Sequence, residues 1–133
     1  MLSSTVLFEF KKTDMDPSAQ RRLNQLLKNI KNISMLDKVE LTGHTDRLRS
    51  DGRMVLNQIL SEQRAESVKR YLIGKGVAED KIQVIGVGSA QPLVECPTNQ
   101  SKEKQIACLQ PNRRVEIILR GTRPGMTGRP ENN

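Results

Sequence analysis

Apolar residues in this chain recur with a period of two, then with a period near 3.6, in repeated alternation. No other property of the sequence restricts the fold as much. Val6, Phe8 and Phe10 share one face of an extended segment predicted over Ser4 to Phe10. Asp16 followed by Pro17 marks a helix start, because an Asp side chain accepts an orphan amide and Pro fits the first helical position. Leu23, Leu26, Leu27 and Ile30 then make one stripe on a helix expected to end near Asn32. Val39 and Leu41 alternate in a second strand that stops at Gly43. Helical spacing returns from about Met54, with Ile59, Leu60, Ala65, Val68 and Leu72 expected to face inward and Gly74 and Gly76 to act as left-handed caps. Ile82 to Val87 reads as a third strand and Ser101 to Leu109 as a short helix. Val115, Ile117 and Leu119 mark a last, half-buried strand.

Strands alternating with helices need crossover connections, so the sheet must hold parallel pairs with helices packed on it. The fold class predicted is α/β (α+β), a small two-layer sandwich built on a mixed β-sheet. One domain is expected over residues 1–120, with a flexible tail over 121–133, where Gly, Pro, Arg and Asn dominate. The core must be aliphatic, since Phe8, Phe10 and Tyr71 are the only aromatic residues. That argues against base-stacking platforms and aromatic hot-spot surfaces. The net charge of +7 permits an acidic partner of any kind and selects none.

Several chemistries are excluded by what the strands lead into. No Walker motif and no dinucleotide fingerprint follows a strand, so nucleotide chemistry is not expected. His44 stands near Asp46 without a positioned nucleophile, and Ser50 and Ser61 are candidates by residue type only, so the chain is not read as an enzyme. Two cysteines and one distant histidine make no zinc set, and neither a metal nor another cofactor is implied. Cys96 and Cys108 are equally compatible with a loop-closing disulfide and with two unrelated buried thiols. No apolar run is long enough to span a membrane, and the first residues lack a signal peptide's apolar stretch; a cytosolic protein or an excised soluble domain is expected.

The segments left over are specific in their order. Leu41-Thr42-Gly43-His44-Thr45-Asp46 leads to Leu60-Ser61-Glu62-Gln63-Arg64-Ala65, then to Val68 and Tyr71-Leu72, Lys75-Gly76-Val77, Ile82, Gly86-Val87-Gly88 and Gln91-Pro92. The series closes on Asn112-Arg113-Arg114-Val115-Glu116, and Val6 to Phe10 followed by Pro17 supplies a matching opening. This series resembles the OmpA-like domain, a periplasmic peptidoglycan-binding module, from about Val6 to Arg120. The resemblance implies the fold of that family and a periplasmic domain of an envelope protein associated with the outer membrane. It also implies a disulfide between Cys96 and Cys108.

The ligand implied is the diaminopimelate of the peptidoglycan stem peptide, whose end carries an ammonium and a carboxylate on one carbon. Such a group needs a fixed anion and a fixed cation close together. Asp46 matches the family's carboxylate for the ammonium, and Arg64 its guanidinium for the carboxylate. Both are expected at an exposed site, where a strand end meets the following helix. Asn57 would add an amide contact and Thr45 part of the wall. Arg114, with Arg113 beside it, would line the rim or brace Asp46. Lys11 and the first strand–helix loop through Asp14 would complete the site.

The chain departs from the family in its loop after Asp46, which is about three residues longer and carries Arg47, Arg49 and Arg53. Lys11 stands where an asparagine is frequent. Added cations could strengthen attraction to stem carboxylates or compete for Asp46. The expected function is a non-catalytic wall anchor. The alternative is a module of the same fold that binds another envelope protein, with wall binding weak or lost. Nucleic acid is not an expected partner, the domain itself is not expected to insert into a membrane, and a homodimer stays open.

Overall fold

Alternation of Val39 and Leu41, and of Val115, Ile117 and Leu119, places these side chains on one face of a sheet, and all five are buried there. The structure, a computed structural model, describes residues 2–30, 36–48 and 54–121. Its elements are β1 (Leu2–Leu7), α1 (Pro17–Lys28), β2 (Leu36–Gly43), α2 (Met54–Gly74), β3 (Ile82–Gly86), α3 (Lys102–Cys108) and β4 (Arg114–Gly121). The sheet runs in the order β1-β4-β2-β3. β2 and β3 pair in parallel, Val39 opposite Ile82, across the crossover made by α2. β4 is antiparallel to both β1 and β2. The predicted two-layer sandwich with a mixed sheet is therefore the fold.

Ala19, Leu23 and Leu26 of α1 and Ala65, Val68 and Leu72 of α2 cover that face and form one core with the strand residues. Alternate residues Glu40, Thr42, Glu116 and Ile118 on the sheet are only half-buried. Asp16 caps α1 by accepting the Ala19 amide at 2.8 Å, with Pro17 in the first turn. Ser101 caps α3 in the same way through the Lys104 amide at 3.2 Å. Gly43 is where α2 crosses the sheet most closely, since a side chain there would collide with the Ser61 carbonyl.

Four boundaries and the orientation of one side chain differ from the patterning. β1 ends at Leu7, and the chain turns at Phe10 instead of carrying it in the strand; Phe8 is still buried. α1 ends at Lys28, with Asn29 as its cap, although Ile30 beyond it is buried; residues 31–35 lie outside the described residues. Gly74 stays in the helix, and only Gly76, at φ 103°, is left-handed. Ile59 points outward, 45% exposed, because the buried stripe of α2 runs through Leu60, Ser61, Arg64, Ala65, Val68 and Leu72. β4 includes Gly121, the first residue of the expected tail; residues 122–133 lie outside the described residues.

Candidate functional site

Arg64 sits on the buried stripe of α2, one turn before Val68, so its side chain must cross toward the sheet instead of reaching solvent. Its Nε donates to the Lys12 carbonyl at 2.9 Å, Nη1 to the His44 carbonyl at 3.1 Å and Nη2 to the Glu9 carbonyl at 3.2 Å. The Glu9 carbonyl also accepts the Lys12 amide at 3.0 Å, which closes a four-residue turn over Glu9-Phe10-Lys11-Lys12. One guanidinium thus holds both ends of the first loop's turn and joins them to the end of β2. Its carbon lies 5.5 Å from the centre of the Phe8 ring.

Asp46 is two residues beyond the His44 carbonyl that Arg64 holds. Its Oδ1 accepts the Leu48 amide at 2.9 Å, an Asx turn, and its Oδ2 accepts Arg113 Nη1 at 2.8 Å. Arg113 also donates to the carbonyls of Phe8 and Ile106, each at 3.0 Å. Charges this deep are tolerated because donors and acceptors surround them. The expectation that Asp46 and Arg64 are exposed is corrected here: they are 2% and 1% exposed.

Asn57 is buried, its amide donating to Ser89 Oγ at 3.3 Å, while its Oδ1 has no partner among the described residues. Thr45 is buried too; its amide donates to the Gly88 carbonyl at 2.9 Å and its Oγ1 has no partner among the described residues. Thr45, Asp46 and Arg47 open on a cavity of about 350 Å³ that Ser89, Glu95 and Asn112 also line. Lys11 is exposed. Cys96 and Cys108 form the disulfide that the resemblance implied. Arg47 donates to the Cys96 carbonyl at 3.1 Å, so the bridged loop reaches the Asp46 turn. Arg49 and Arg53 lie outside the described residues.

Arg114 does not brace Asp46. Strand alternation sends it to the opposite face from Arg113, where Nε donates to Glu116 Oε2 at 2.8 Å and Nη2 to the Gln91 carbonyl at 3.0 Å. His44 joins it there, fully buried, with Nε2 3.3 Å from Glu116 Oε1 but poorly aligned for a hydrogen bond. Burial, then the nearby Arg114 charge, holds the His44 pKa below its ordinary value, against the pull of Glu116. Burial alone would raise Glu116; its hydrogen bond from Arg114 and the neighbouring charges outweigh that and lower it. Of the two arginines expected at the rim, Arg113 is the one that braces Asp46. Its signal was in the sequence: counting back from the core residues Val115 and Ile117 puts 113, not 114, on the helix side.

The model described as the OmpA family matches residues 7–105, and the chain belongs to that family, one of non-catalytic domains. It is 41% identical over 129 residues to Outer membrane protein A of Salmonella typhi, covering 95% of this chain and 36% of that protein. The chain thus spans about a third of that relative's length. The crystal structure of the peptidoglycan-associated lipoprotein from Burkholderia pseudomallei shares the fold, with a TM-score of 0.69 at 23% identity, covering 87% of this chain and 89% of that one. The cell wall anchor of the T6SS from Pseudomonas aeruginosa aligns with a TM-score of 0.62 at 25% identity, over 90% of this chain and 81% of that one. Among the described residues, no helix is long and apolar enough to cross a membrane.

Proposed function

We propose that this domain sits in the periplasm and binds peptidoglycan without catalysis, anchoring an outer-membrane or envelope protein to the cell wall. The observation that carries the reading is that Arg64 is held at the His44 carbonyl, two residues before Asp46, in a chain that belongs to the OmpA family. Names of similar proteins support it: one is a peptidoglycan-associated lipoprotein and another a cell wall anchor. The Cys96–Cys108 disulfide fits an oxidising compartment.

The stem peptide's diaminopimelate is the ligand. Its ammonium approaches Asp46, with Oδ1 of Asn57 and Oγ1 of Thr45, which have no partner among the described residues, as further acceptors. Its carboxylate takes donors of Arg64 away from the neutral carbonyls of the first loop, because charge-assisted hydrogen bonds are roughly twice as strong as neutral ones. Arg113 keeps the Asp46 carboxylate oriented throughout. The test is co-sedimentation with purified sacculi. The wild-type domain should pellet with them and Arg64→Lys, which keeps the charge but not the fork, should not. A folded wild-type domain that stays in solution would contradict the reading.

A second reading, an envelope interaction module with weak or lost wall binding, is favoured by one observation. The carboxylate of Asp46 is already paired with Arg113 at 2.8 Å. Sacculus-free supernatant with capture of another envelope protein would support it.

A further inference from the structure

Three cations converge on a single half-buried ring. Lys11 Nζ lies 5.4 Å, Lys102 Nζ 5.6 Å and the Arg113 guanidinium carbon 5.9 Å from the centre of Phe10. Arg113 is neutralised by Asp46. Lys11 and Lys102 are exposed, and among the described residues neither has a carboxylate within ion-pair distance. Their ammonium groups can be no further apart than the sum of their distances to the ring. An anion seated beside the ring between them would be attracted by both ammonium groups, an attraction that salt screens.

The backbone shows that Lys11 is held there against its preference. Its φ of 64° makes it the one non-glycine residue with positive φ among the described residues. It occupies the third position of the Glu9–Lys12 turn, where the type II pattern favours glycine or asparagine. A lysine there is strained. Arg64 clamps both ends of that turn, so the strained lysine and the proposed wall site are fixed to one another.

We propose that Lys11 and Lys102, set on the Phe10 ring, form an anion subsite that takes a second carboxylate of the acidic stem peptide, beyond the zwitterionic end of diaminopimelate. This rests on the wall-binding reading and adds a specificity to it: the site prefers a stem whose acidic residue carries a free carboxylate over one in which that group is amidated. Exposed pairs of this kind contribute modestly and are screened by salt.

Calorimetry with the tripeptide L-alanyl-γ-D-glutamyl-meso-diaminopimelate, and with the same tripeptide amidated at the glutamyl α-carboxylate, separates the possibilities. The wild-type domain should bind the free acid about two- to fivefold more tightly at low salt, with the difference shrinking as salt rises. In the double variant Lys11→Asn, Lys102→Gln, the difference should vanish. Lys11→Asn alone should melt no lower than wild type, because asparagine enters the left-handed region more easily. Equal binding of both tripeptides by the wild type would overturn the subsite while leaving the wall-binding reading intact. Binding of neither would overturn both.

Discussion

Arg113 Nη1 meets Asp46 Oδ2 at 2.8 Å with the two side chains 5% and 1% exposed, so the start of the last strand is tied to the end of the second by a buried ion pair. Breaking such a pair from one side leaves a charge without solvent or partner. Arg113→Ala should therefore lower the unfolding free energy by about 3–5 kcal/mol. Arg114→Ala should lower it less, because its partner Glu116 has a side chain 40% exposed and rehydrates. Urea titrations of the two variants check this; equal losses would contradict it.

Burial changes what alanine substitutions can report. Arg64→Ala takes the guanidinium from the buried His44 carbonyl, at a cost of about 1–3 kcal/mol if that group is orphaned, and from the part-buried carbonyls of Lys12 and Glu9, which water or the Lys12 amide can serve. That variant should be destabilised with its first loop loosened, so its loss of wall binding would say little. Asp46→Asn keeps the shape and an acceptor for the Leu48 amide. It takes the anion away from the buried Arg113 guanidinium and so should also lower stability by about 3–5 kcal/mol; at a temperature where circular dichroism shows it folded, it should lose at least about tenfold in sacculus affinity, the equivalent of 1.4 kcal/mol.

The disulfide supports the site as well as the loop. Cys96 contributes a carbonyl to Arg47, and the bridged segment supplies the Ile106 carbonyl to Arg113. Replacing both cysteines with serine should remove about 3 kcal/mol of stability and weaken sacculus binding at a temperature where the variant is still folded. Unchanged binding in a folded, bridge-free domain would separate the loop from the site.

His44 gives the fold a pH dependence of definite sign. Its folded pKa is held below 6.5, first by burial and then by Arg114. Above that value the imidazole is neutral in both states. As pH falls below it, the unfolded chain takes up the proton first, so stability drops until the folded pKa is reached, by at most about 1.4 kcal/mol per pH unit. Glu116, lowered from 4.5, acts in the same direction in a more acidic window. Denaturant midpoints should fall as pH drops below about 6.5 in the wild type and stay flatter in His44→Phe.

Period and capping made most of the fold legible: Asp16 caps the first helix, Gly43 ends the second strand, and the alternation of Val115, Ile117 and Leu119 faces the core. What failed were positions where a local pattern competes with tertiary geometry. Phe10 continues the period-two pattern of Val6 and Phe8, yet the chain turns there because Arg64 and the Lys12 amide both take hold of the Glu9 carbonyl. Ile59 fits a helical stripe that α2 does not bury. For the site, Asp46 and Arg64 could be singled out by their place in the motifs, but a polar residue's sequence surroundings do not reveal its depth. Arg113 and Arg114 are adjacent and alike, and only the parity of the strand after them separates their roles.

The most direct measurement is calorimetric titration of the domain with a diaminopimelate-containing stem peptide beside its lysine-containing counterpart. Lysine lacks the second carboxylate, so Arg64 would have no anion to receive. Measurable binding of the first, with the second weaker by at least about tenfold, is the expected result. Equal affinity for the two peptides, or none for either by a folded domain, would contradict a site built from Asp46 and Arg64.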